Sequence, residues 1–200
     1  VTAATGIDAM VHAIEAYTSK RLKNSLSDML AREALRLLAG NIAVAVKQGD
    51  NLDARGSMLL GAMLAGQAFA NAPVAAVHAL AYPLGGNYHI PHGLSNSLVL
   101  PHVIRFNGPS AGDLYKEIAP LIMPGKSLPD DALMVTEILA EHFLSLAEDL
   151  GLQTSLSQMN VPEGDLPKLA EEAMLQQRLL INNPREVSVD DSLEIYRQAY

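Results

Sequence analysis

Hydrophobic positions recur at helical spacing along nearly the whole chain, and alternating stretches typical of β-strands are scarce. Capping residues, glycines and prolines divide the pattern into eight or nine segments. The predicted helices run from about Thr5 to Ser19, Ser25 or Ser27 to Lys47, Asn51 to Ala70, Val74 to Leu84, His92 to before Asn107, Ser110 to before Pro124, Asp130 or Asp131 to Leu150, Asp165 to Gln177, and Ser188 onward. No internal repeat or linker divides the chain. The pattern predicts one all-α domain over residues 1–200.

Several of these boundaries depend on short local signals. Thr5 followed three residues later by Asp8 resembles a capping box, which predicts that the first helix begins there. The Gly-Gly-Asn run at residues 85–87 predicts a break into a loop. Pro101 is expected to kink or end the next helix before the Asn-Gly-Pro run at residues 107–109.

The second and third helices differ in their apolar faces. The second is expected to bury one side, formed by Met29, Leu30, Ala34, Leu37 and Leu38. The third is apolar or small on all sides between residues 58 and 66, which predicts a central, tightly packed helix with Met58 and Met63 in the core.

The amino-acid composition limits the classes of protein to which the chain can belong. The chain has 14 Lys and Arg against 22 Asp and Glu, a net charge of −8, and no dense basic cluster. Nucleic acid and membrane surfaces are therefore not expected as partners. No apolar run is long enough to cross a bilayer and no signal peptide is recognisable, so we expect a soluble, cytoplasmic protein. Because cysteine is absent, a bound metal would need histidine and carboxylate ligands.

Four side chains could form such a metal site. Asp8 and His12 are four residues apart, which places them on one helix face. Taken alone, the pair also fits a structural role in which Asp8 caps the N-terminus of the helix and His12 pairs weakly with it. His78 lies in an apolar helix where an unpaired imidazole is costly to bury, and a loop between helices can fold His92 back toward it. Each residue taken singly fits a core or loop role, whereas together they fit a divalent metal with an open coordination position.

Several segments match a pattern known from one enzyme family. GIDAMVHAIEAY at residues 6–17, VHALAYPLGG at 77–86 and Pro-His-Gly at 91–93 resemble the C-terminal domain of iron-dependent alcohol dehydrogenases. Further similarity occurs at residues 66–72, 100–103, 183–185 and 195–196. The similarity covers essentially the whole chain. The resemblance implies an enzyme in which a helical domain supplies Asp8, His12, His78 and His92 as ligands to one Fe²⁺, with Zn²⁺ as the alternative metal.

The resemblance also implies that a separate N-terminal domain binds NAD or NADP. This chain has no G-x-G-x-x-G turn or βαβ pattern, so no cofactor-binding residue is assigned in it, and the chain alone is expected to be inactive. It begins at Val1 and reaches a helix start within about five residues, from which we expect missing upstream sequence. The expected substrate is a small alcohol, aldehyde or ketone, and the expected assembly is a homo-oligomer.

Two further residues have candidate roles. Tyr82 stands where many family members have a second histidine four residues after the first, and it is a candidate for relaying a proton. The alternative is that Tyr82 is an amphipathic side chain in the wall of the site, with no part in proton transfer. Phe69 resembles an aromatic position that lines the family's substrate pocket, and a core phenylalanine is the alternative. Glu15, three residues after His12, could reach the metal face, but the resemblance gives it no ligand role.

Three other functions fit parts of the sequence. A zinc-dependent, glycerol-type polyol dehydrogenase domain would share the fold and the ligand pattern. A helical metal-dependent phosphohydrolase would also use His and Asp, although this chain lacks the adjacent His-Asp dipeptide common in such enzymes. A non-catalytic helical interaction module would leave the histidines incidental.

Overall fold

Nine α-helices and two single-turn 3₁₀ helices form the regular structure of the computed structural model, which describes residues 1–200. The α-helices are α1 Thr2–Thr18, α2 Ser25–Lys47, α3 Leu52–Asn71, α4 Ala76–Tyr88, α5 His92–Ile122, α6 Ala132–Asp149, α7 Leu166–Met174, α8 Gln177–Leu180 and α9 Val189–Gln198. The 3₁₀ helices are Ser157–Met159 and Glu163–Asp165. No β-strand occurs, and the predicted all-α fold class is confirmed.

Side-chain caps explain where four of the helices begin. An N-cap side chain accepts a hydrogen bond from a backbone N–H of the first turn, which satisfies a donor that has no partner within the helix. The caps of α2, α3, α6 and α9 are Asn24, Asn51, Asp131 and Ser188 respectively. The start predicted at Ser188 is confirmed, because Ser188 and Asp191 form a reciprocal capping box.

The predicted start of α1 is wrong. The helix begins at Thr2, and no side chain caps it. The Thr5 hydroxyl donates back to the carbonyl of Val1 at 3.2 Å. Asp8 lies within the helix, where its carboxylate accepts a hydrogen bond from Asn96 of α5 at 2.6 Å. The carboxylate is therefore available to a site between helices.

The break predicted at residues 85–87 is also wrong. Helix α4 continues to Tyr88 and ends where His89 adopts a left-handed conformation with φ of 55°. The Asn87 amide donates to the carboxylate of Glu172 in α7 at 2.6 Å. Contacts of this kind with α7 hold the last turn of α4 in place and outweigh the low helix propensity of the two glycines.

The two helices predicted on either side of residues 107–109 are one. Helix α5 is 31 residues long and contains Pro101, Pro109 and Pro120. Each interior proline removes a backbone hydrogen bond, so packing must offset the loss. A Cβ on Gly108 would lie 3.0 Å from Cγ2 of Thr136 in α6. Glycine here permits close approach of α6 and does not end the helix.

Two expected core faces are partly exposed. Helix α3 packs on α1 and α2 through one side only, which includes the buried Met58. Its other side is exposed, with Leu59 at 75% accessibility and Met63 at 50%, so the prediction of a helix buried all round is wrong. On α2, Ala34 and Leu38 are buried as predicted, but Met29 is 60% exposed.

The helices enclose one contiguous core. Helix α1 packs against α2, α3 and α5, while α5 also packs against α4 and α6, and α7 packs against α4 and α9. The core contains 57 buried hydrophobic residues drawn from the first helix to the last. No single helix is long and apolar enough to cross a bilayer, and only α3 and α4 taken together, bent by 107°, reach that length and composition.

Candidate metal centre

The functional candidates lie where α1, α4 and the start of α5 meet. Asp8, His12 and Glu15 are at successive turns of one face of α1. His78 is in the first turn of α4, and His92 is the first residue of α5. Asn96 is one turn further along α5. The structure brings all four of the predicted ligands to this junction.

Gly93 allows α5 to approach α1 closely enough for this meeting. A Cβ at position 93 would lie 2.5 Å from the carbonyl oxygen of Ala4 and 3.2 Å from the backbone nitrogen of Thr5. Both contacts are with backbone, which cannot move aside as a flexible side chain can. Glycine next to His92 therefore permits the close approach that brings the imidazole near the Asp8 carboxylate.

The ligating atoms of the candidate residues converge. Asp8, His78 and His92 each place one such atom within 4.8 Å of the other two. Oδ1 of Asp8 is 3.6 Å from Nε2 of His78 and 3.7 Å from Nε2 of His92. His12 joins the group through His78, with their Nε2 atoms 3.0 Å apart.

Glu15 is the buried partner of His78. One carboxylate oxygen accepts a hydrogen bond from the backbone N–H of Val77, and the other lies 2.7 Å from Nδ1 of His78. Because a carboxylate can only accept, Nδ1 of His78 carries a proton and Nε2 faces the junction. A hydrogen bond of this kind fixes the ring orientation of metal-binding histidines.

Asn96 contacts three of the candidate ligands, Asp8, His78 and His92. Its Nδ2 lies 2.6 Å from Oδ1 of Asp8, 3.3 Å from Nε2 of His78 and 3.2 Å from Nε2 of His92. The residue is fully buried, and its Oδ1 has no hydrogen-bond partner. No sequence motif indicated a role for Asn96, and the family resemblance implied no ligand role for Glu15. The available signal was spacing, since Glu15 follows His12 by three residues and Asn96 follows His92 by four.

Burial and charge act differently on the two inner histidines. Burial lowers the pKa of His12, and Asp8 only partly counters this effect. Burial also acts to lower the pKa of His78, but the nearby carboxylates of Glu15 and Asp8 outweigh it, so the pKa of His78 is raised. The pKa values of the two neighbouring imidazoles are therefore shifted in opposite directions.

The donor set fits a divalent transition metal. Three imidazole nitrogens and one carboxylate oxygen suit Fe²⁺ or Zn²⁺, and no sulfur ligand is needed. Neighbouring ligand atoms around a cation bonded at about 2.1 Å are roughly 3 to 3.5 Å apart. The Nε2 atoms of His12 and His78, at 3.0 Å, match this spacing, and those of Asp8 and His78, at 3.6 Å, come close to it. Two imidazole nitrogens this close require a proton or a cation between them.

One side of the junction is open. His78 is 2% exposed, whereas the side chain of His92 is 48% exposed. The ring of Phe69 stacks on His12, with centroids 4.6 Å apart and planes inclined by 22°. The ring of Tyr82 lies 6.0 Å from that of His92. Phe69 and Tyr82, both half-buried, therefore flank the cluster on two sides.

The other three histidines lie apart from the cluster. His89 is exposed in the turn after α4. His102 is buried in α5, and its Nδ1 has no partner. His142 is half-buried in α6, with its ring at an edge-on angle to Phe143.

Comparison with known proteins identifies the family of the chain. The family model described as Fe-containing alcohol dehydrogenase family, C-terminal, matches residues 2–200. A 1,3-propanediol dehydrogenase of Citrobacter freundii is 41% identical over 201 residues, covering 100% of this chain and 51% of its own length. Long-chain-alcohol dehydrogenase 1 of Geobacillus thermodenitrificans is 40% identical, covering 100% of this chain and 50% of its own length.

Solved structures agree with this relationship. The crystal structure of a 1,3-propanediol oxidoreductase superposes with a TM-score of 0.93 at 40% identity, covering 99% of this chain and 51% of that one. The chain therefore belongs to the Fe-containing alcohol dehydrogenase family and corresponds to its C-terminal domain. It spans about half the length of the relatives it matches.

Proposed function

We propose that residues 1–200 form the metal-binding catalytic domain of an NAD(P)-dependent alcohol dehydrogenase. The reaction converts an alcohol and NAD(P)⁺ into an aldehyde or ketone, NAD(P)H and a proton, and runs in both directions. The observation that carries the proposal is the convergence of Asp8, His12, His78 and His92 at a junction that is open beside His92. Family membership supports the same reaction class.

Asp8, His12, His78 and His92 are the proposed metal ligands. They would hold a divalent metal, which would supply the Lewis acidity needed to lower the pKa of an alcohol oxygen or to polarise a carbonyl group. Glu15 orients the His78 ring through its 2.7 Å contact with Nδ1. The exposed edge of His92 leaves room for the substrate to approach.

Phe69 and Tyr82 have proposed roles toward the substrate. Phe69 is held against His12 by ring stacking and would present an apolar wall to the carbon chain of a small alcohol or carbonyl compound. Tyr82, beside His92, is the proposed proton relay between the reacting oxygen and solvent. Both side chains flank the open part of the junction.

The nicotinamide cofactor is assigned to an N-terminal domain outside this chain. No strand and no glycine-rich phosphate-binding turn is present within residues 1–200. The relatives are about twice as long as the chain, which leaves room for such a domain. We further propose that the protein is a cytoplasmic homo-oligomer, in keeping with its lack of cysteine and its exposed apolar side chains on α3.

Fe²⁺ is the proposed metal, and Zn²⁺ in a polyol dehydrogenase of the glycerol type is the second candidate. The three-imidazole, one-carboxylate donor set favours both metals, and the family name favours iron. Because the chain belongs to a dehydrogenase family, we do not propose the phosphohydrolase or the non-catalytic interaction module.

The test uses the protein at its natural length, purified without oxygen. Metal content is measured first, and turnover of 1,3-propanediol with NAD⁺ and NADP⁺ is then measured after restoring Fe²⁺ or Zn²⁺ to the metal-free protein. His78→Ala is expected to lose both the metal and turnover. His142→Gln, which changes a histidine on α6 away from the junction, is expected to keep both. A fully active protein without metal would contradict the proposal.

A further inference from the structure

The fully buried amide of Asn96 lies at the point where three proposed ligands converge. Its NH₂ group is within 3.3 Å of Oδ1 of Asp8 and of Nε2 of both His78 and His92. The shortest contact, 2.6 Å, is with the Asp8 carboxylate. The carboxylate must be accepting there, so the amide nitrogen is the donor and faces the ligands.

The other half of the same amide shows that this orientation has a cost. Oδ1 of Asn96 is buried and has no hydrogen-bond partner. A buried acceptor left without a partner normally destabilises a fold, and such groups need an explanation. The hydrogen bonds available to this amide are those made by its nitrogen toward the proposed metal ligands. The side chain therefore interacts with the proposed ligands at the expense of its own oxygen, which is not expected of a residue with a purely structural role.

The electrostatics of the junction explain what the amide does there. With neither a proton nor a cation between them, the Asp8 carboxylate and the lone pairs of the imidazole nitrogens would repel one another at these short distances. The NH₂ group carries partial positive charge and two protons, so it offsets this repulsion. It can hold Asp8 close to His78 and His92 before an ion binds.

We propose that Asn96 is a positioning residue that preorganises Asp8, His78 and His92 for metal binding through the NH₂ group of its side chain. The inference deepens the function proposed above and rests on its metal site. It assigns no metal-ligand bond to Asn96. Loss of the amide would leave the four ligands present but less well ordered, so the metal would bind more weakly.

The experiment compares Asn96→Leu with the parent protein at natural length. Zn²⁺ affinity is measured by competition with a chromogenic chelator, and the melting temperature of the metal-free protein is measured separately. Leucine has a similar size and removes both the donor and the unpartnered oxygen. We expect Zn²⁺ affinity to fall 10- to 100-fold, which is the usual effect of losing a side chain that orients metal ligands. The melting temperature of the metal-free protein is expected to change little, because removal of the unpartnered oxygen offsets the loss of the donor to Asp8.

Asn107→Leu provides the matched control. Asn107 is a second buried asparagine on α5, and it exchanges two hydrogen bonds with Asn183 at 2.8 and 3.1 Å. Its replacement is expected to lower the melting temperature, because Asn183 loses its partner, and to leave Zn²⁺ affinity unchanged. A loss of Zn²⁺ affinity in Asn96→Leu, together with a loss of melting temperature in Asn107→Leu, would distinguish a positioning role from a structural one.

Unchanged Zn²⁺ affinity in Asn96→Leu would overturn the inference, whatever happens to the melting temperature. If this variant does not fold, Asn96→Ala and a measurement on the parent protein take its place. In the metal-free parent, the side-chain NH₂ protons of Asn96 should exchange slowly with solvent and shift on addition of Zn²⁺. Exchange as fast as for an exposed asparagine would also overturn it. A parent protein that binds no Zn²⁺ or Fe²⁺ would instead refute the proposed function.

Discussion

Glu15 of α1 and His78 of α4 are joined by a buried contact of 2.7 Å between Oε2 and Nδ1. The second carboxylate oxygen accepts the backbone N–H of Val77, also at 2.7 Å. One carboxylate therefore ties the start of α4 to α1 and fixes which nitrogen of His78 faces the candidate ligands. The orientation of His78 depends on a residue 63 positions away in the sequence.

Replacement of this carboxylate by an amide is the first prediction. Glu15→Gln is nearly isosteric and can still accept the Val77 N–H, but its NH₂ group cannot accept the Nδ1 proton of His78. We expect Zn²⁺ affinity of the natural-length protein to fall 10- to 100-fold because the imidazole loses its orienting partner. Chelator competition measures this change.

The control for this prediction is Glu33→Gln. Glu33 pairs with Arg36 on the surface of α2, away from the junction. Its replacement should leave the affinity for Zn²⁺ unchanged. Equal affinities for the parent and for Glu15→Gln would mean that the contact between Glu15 and His78 serves folding alone.

Local sequence signals indicated the four candidate ligands but not the contacts that support them. The four-residue spacing of Asp8 and His12 is sufficient to place both on one helix face. The contacts of Glu15 and Asn96 could not be derived in this way. The Glu15 contact depends on the relative positions of α1 and α4, and the Asp8 and His78 contacts of Asn96 depend on those of α1, α4 and α5. The backbone contact of Gly93 is one cause of the close approach of α5 to α1.

The same distinction explains the errors in helix boundaries. Glycine, proline and asparagine lower helix propensity, and a sequence alone gives no estimate of the packing that opposes them. Helix α5 continues through Pro101 and Pro109 because it packs on five other helices. The exposure of Leu59 and Met63 on α3 could not be predicted, because an evenly apolar helix carries no sequence pattern that distinguishes its buried side from its exposed side.

The close approach of α5 to α1 gives the second prediction. Gly93→Ala would place a Cβ 2.5 Å from the carbonyl oxygen of Ala4, so one helix must shift. We expect a loss of about 1–3 kcal/mol in the free energy of unfolding, which is typical of overpacking. Zn²⁺ affinity should fall as well, because His92 is the adjacent residue. Urea unfolding and chelator competition measure the two effects.

Gly86→Ala is the matched control. This glycine is exposed within α4, and no atom lies within 4 Å of a Cβ built on it. Alanine has a higher helix propensity, so the variant is expected to gain about 0.5–1 kcal/mol without a change in metal affinity. A Gly93→Ala protein as stable as the parent would show that the helices separate without cost.

The third prediction is that His102 makes the stability of the folded protein sensitive to acid. Burial, aided by the charge of Arg105, lowers the pKa of His102 to about 4. Between about pH 6.5 and pH 4 the unfolded chain binds a proton that the folded chain does not, so stability falls as the pH falls through this range. Above pH 6.5 this residue adds no pH dependence. We expect it to remove about 2 kcal/mol of stability between pH 7.5 and pH 5.

His102→Leu cannot titrate and should lose this part of the pH dependence. Urea unfolding of metal-free protein at the two pH values gives the comparison, since all other titrating groups are shared with the parent. His89→Asn is the control, because His89 is exposed and asparagine tolerates its left-handed backbone conformation. Equal losses for the parent and His102→Leu would show that His102 titrates normally in the folded state.

The fourth prediction is that the 200-residue chain binds metal without catalysing turnover. All four proposed ligands lie within residues 1–200, on helices that share one core. A dinucleotide site of the usual kind needs a parallel sheet and a glycine-rich turn, and this chain contains no strand. We therefore expect the 200-residue chain, expressed alone, to bind about one Zn²⁺ or Fe²⁺ and to reduce no NAD⁺ or NADP⁺ with 1,3-propanediol.

Elemental analysis and absorbance at the reduced-nicotinamide band measure the two quantities on the same sample. The natural-length protein is the positive control for turnover, and His78→Ala in the short chain is the negative control for metal binding. Steady turnover by the short chain would place the cofactor site among these helices and contradict its assignment to another domain. Failure to bind metal, in a chain shown by circular dichroism to be helical, would mean that the ligand arrangement needs contacts from outside residues 1–200.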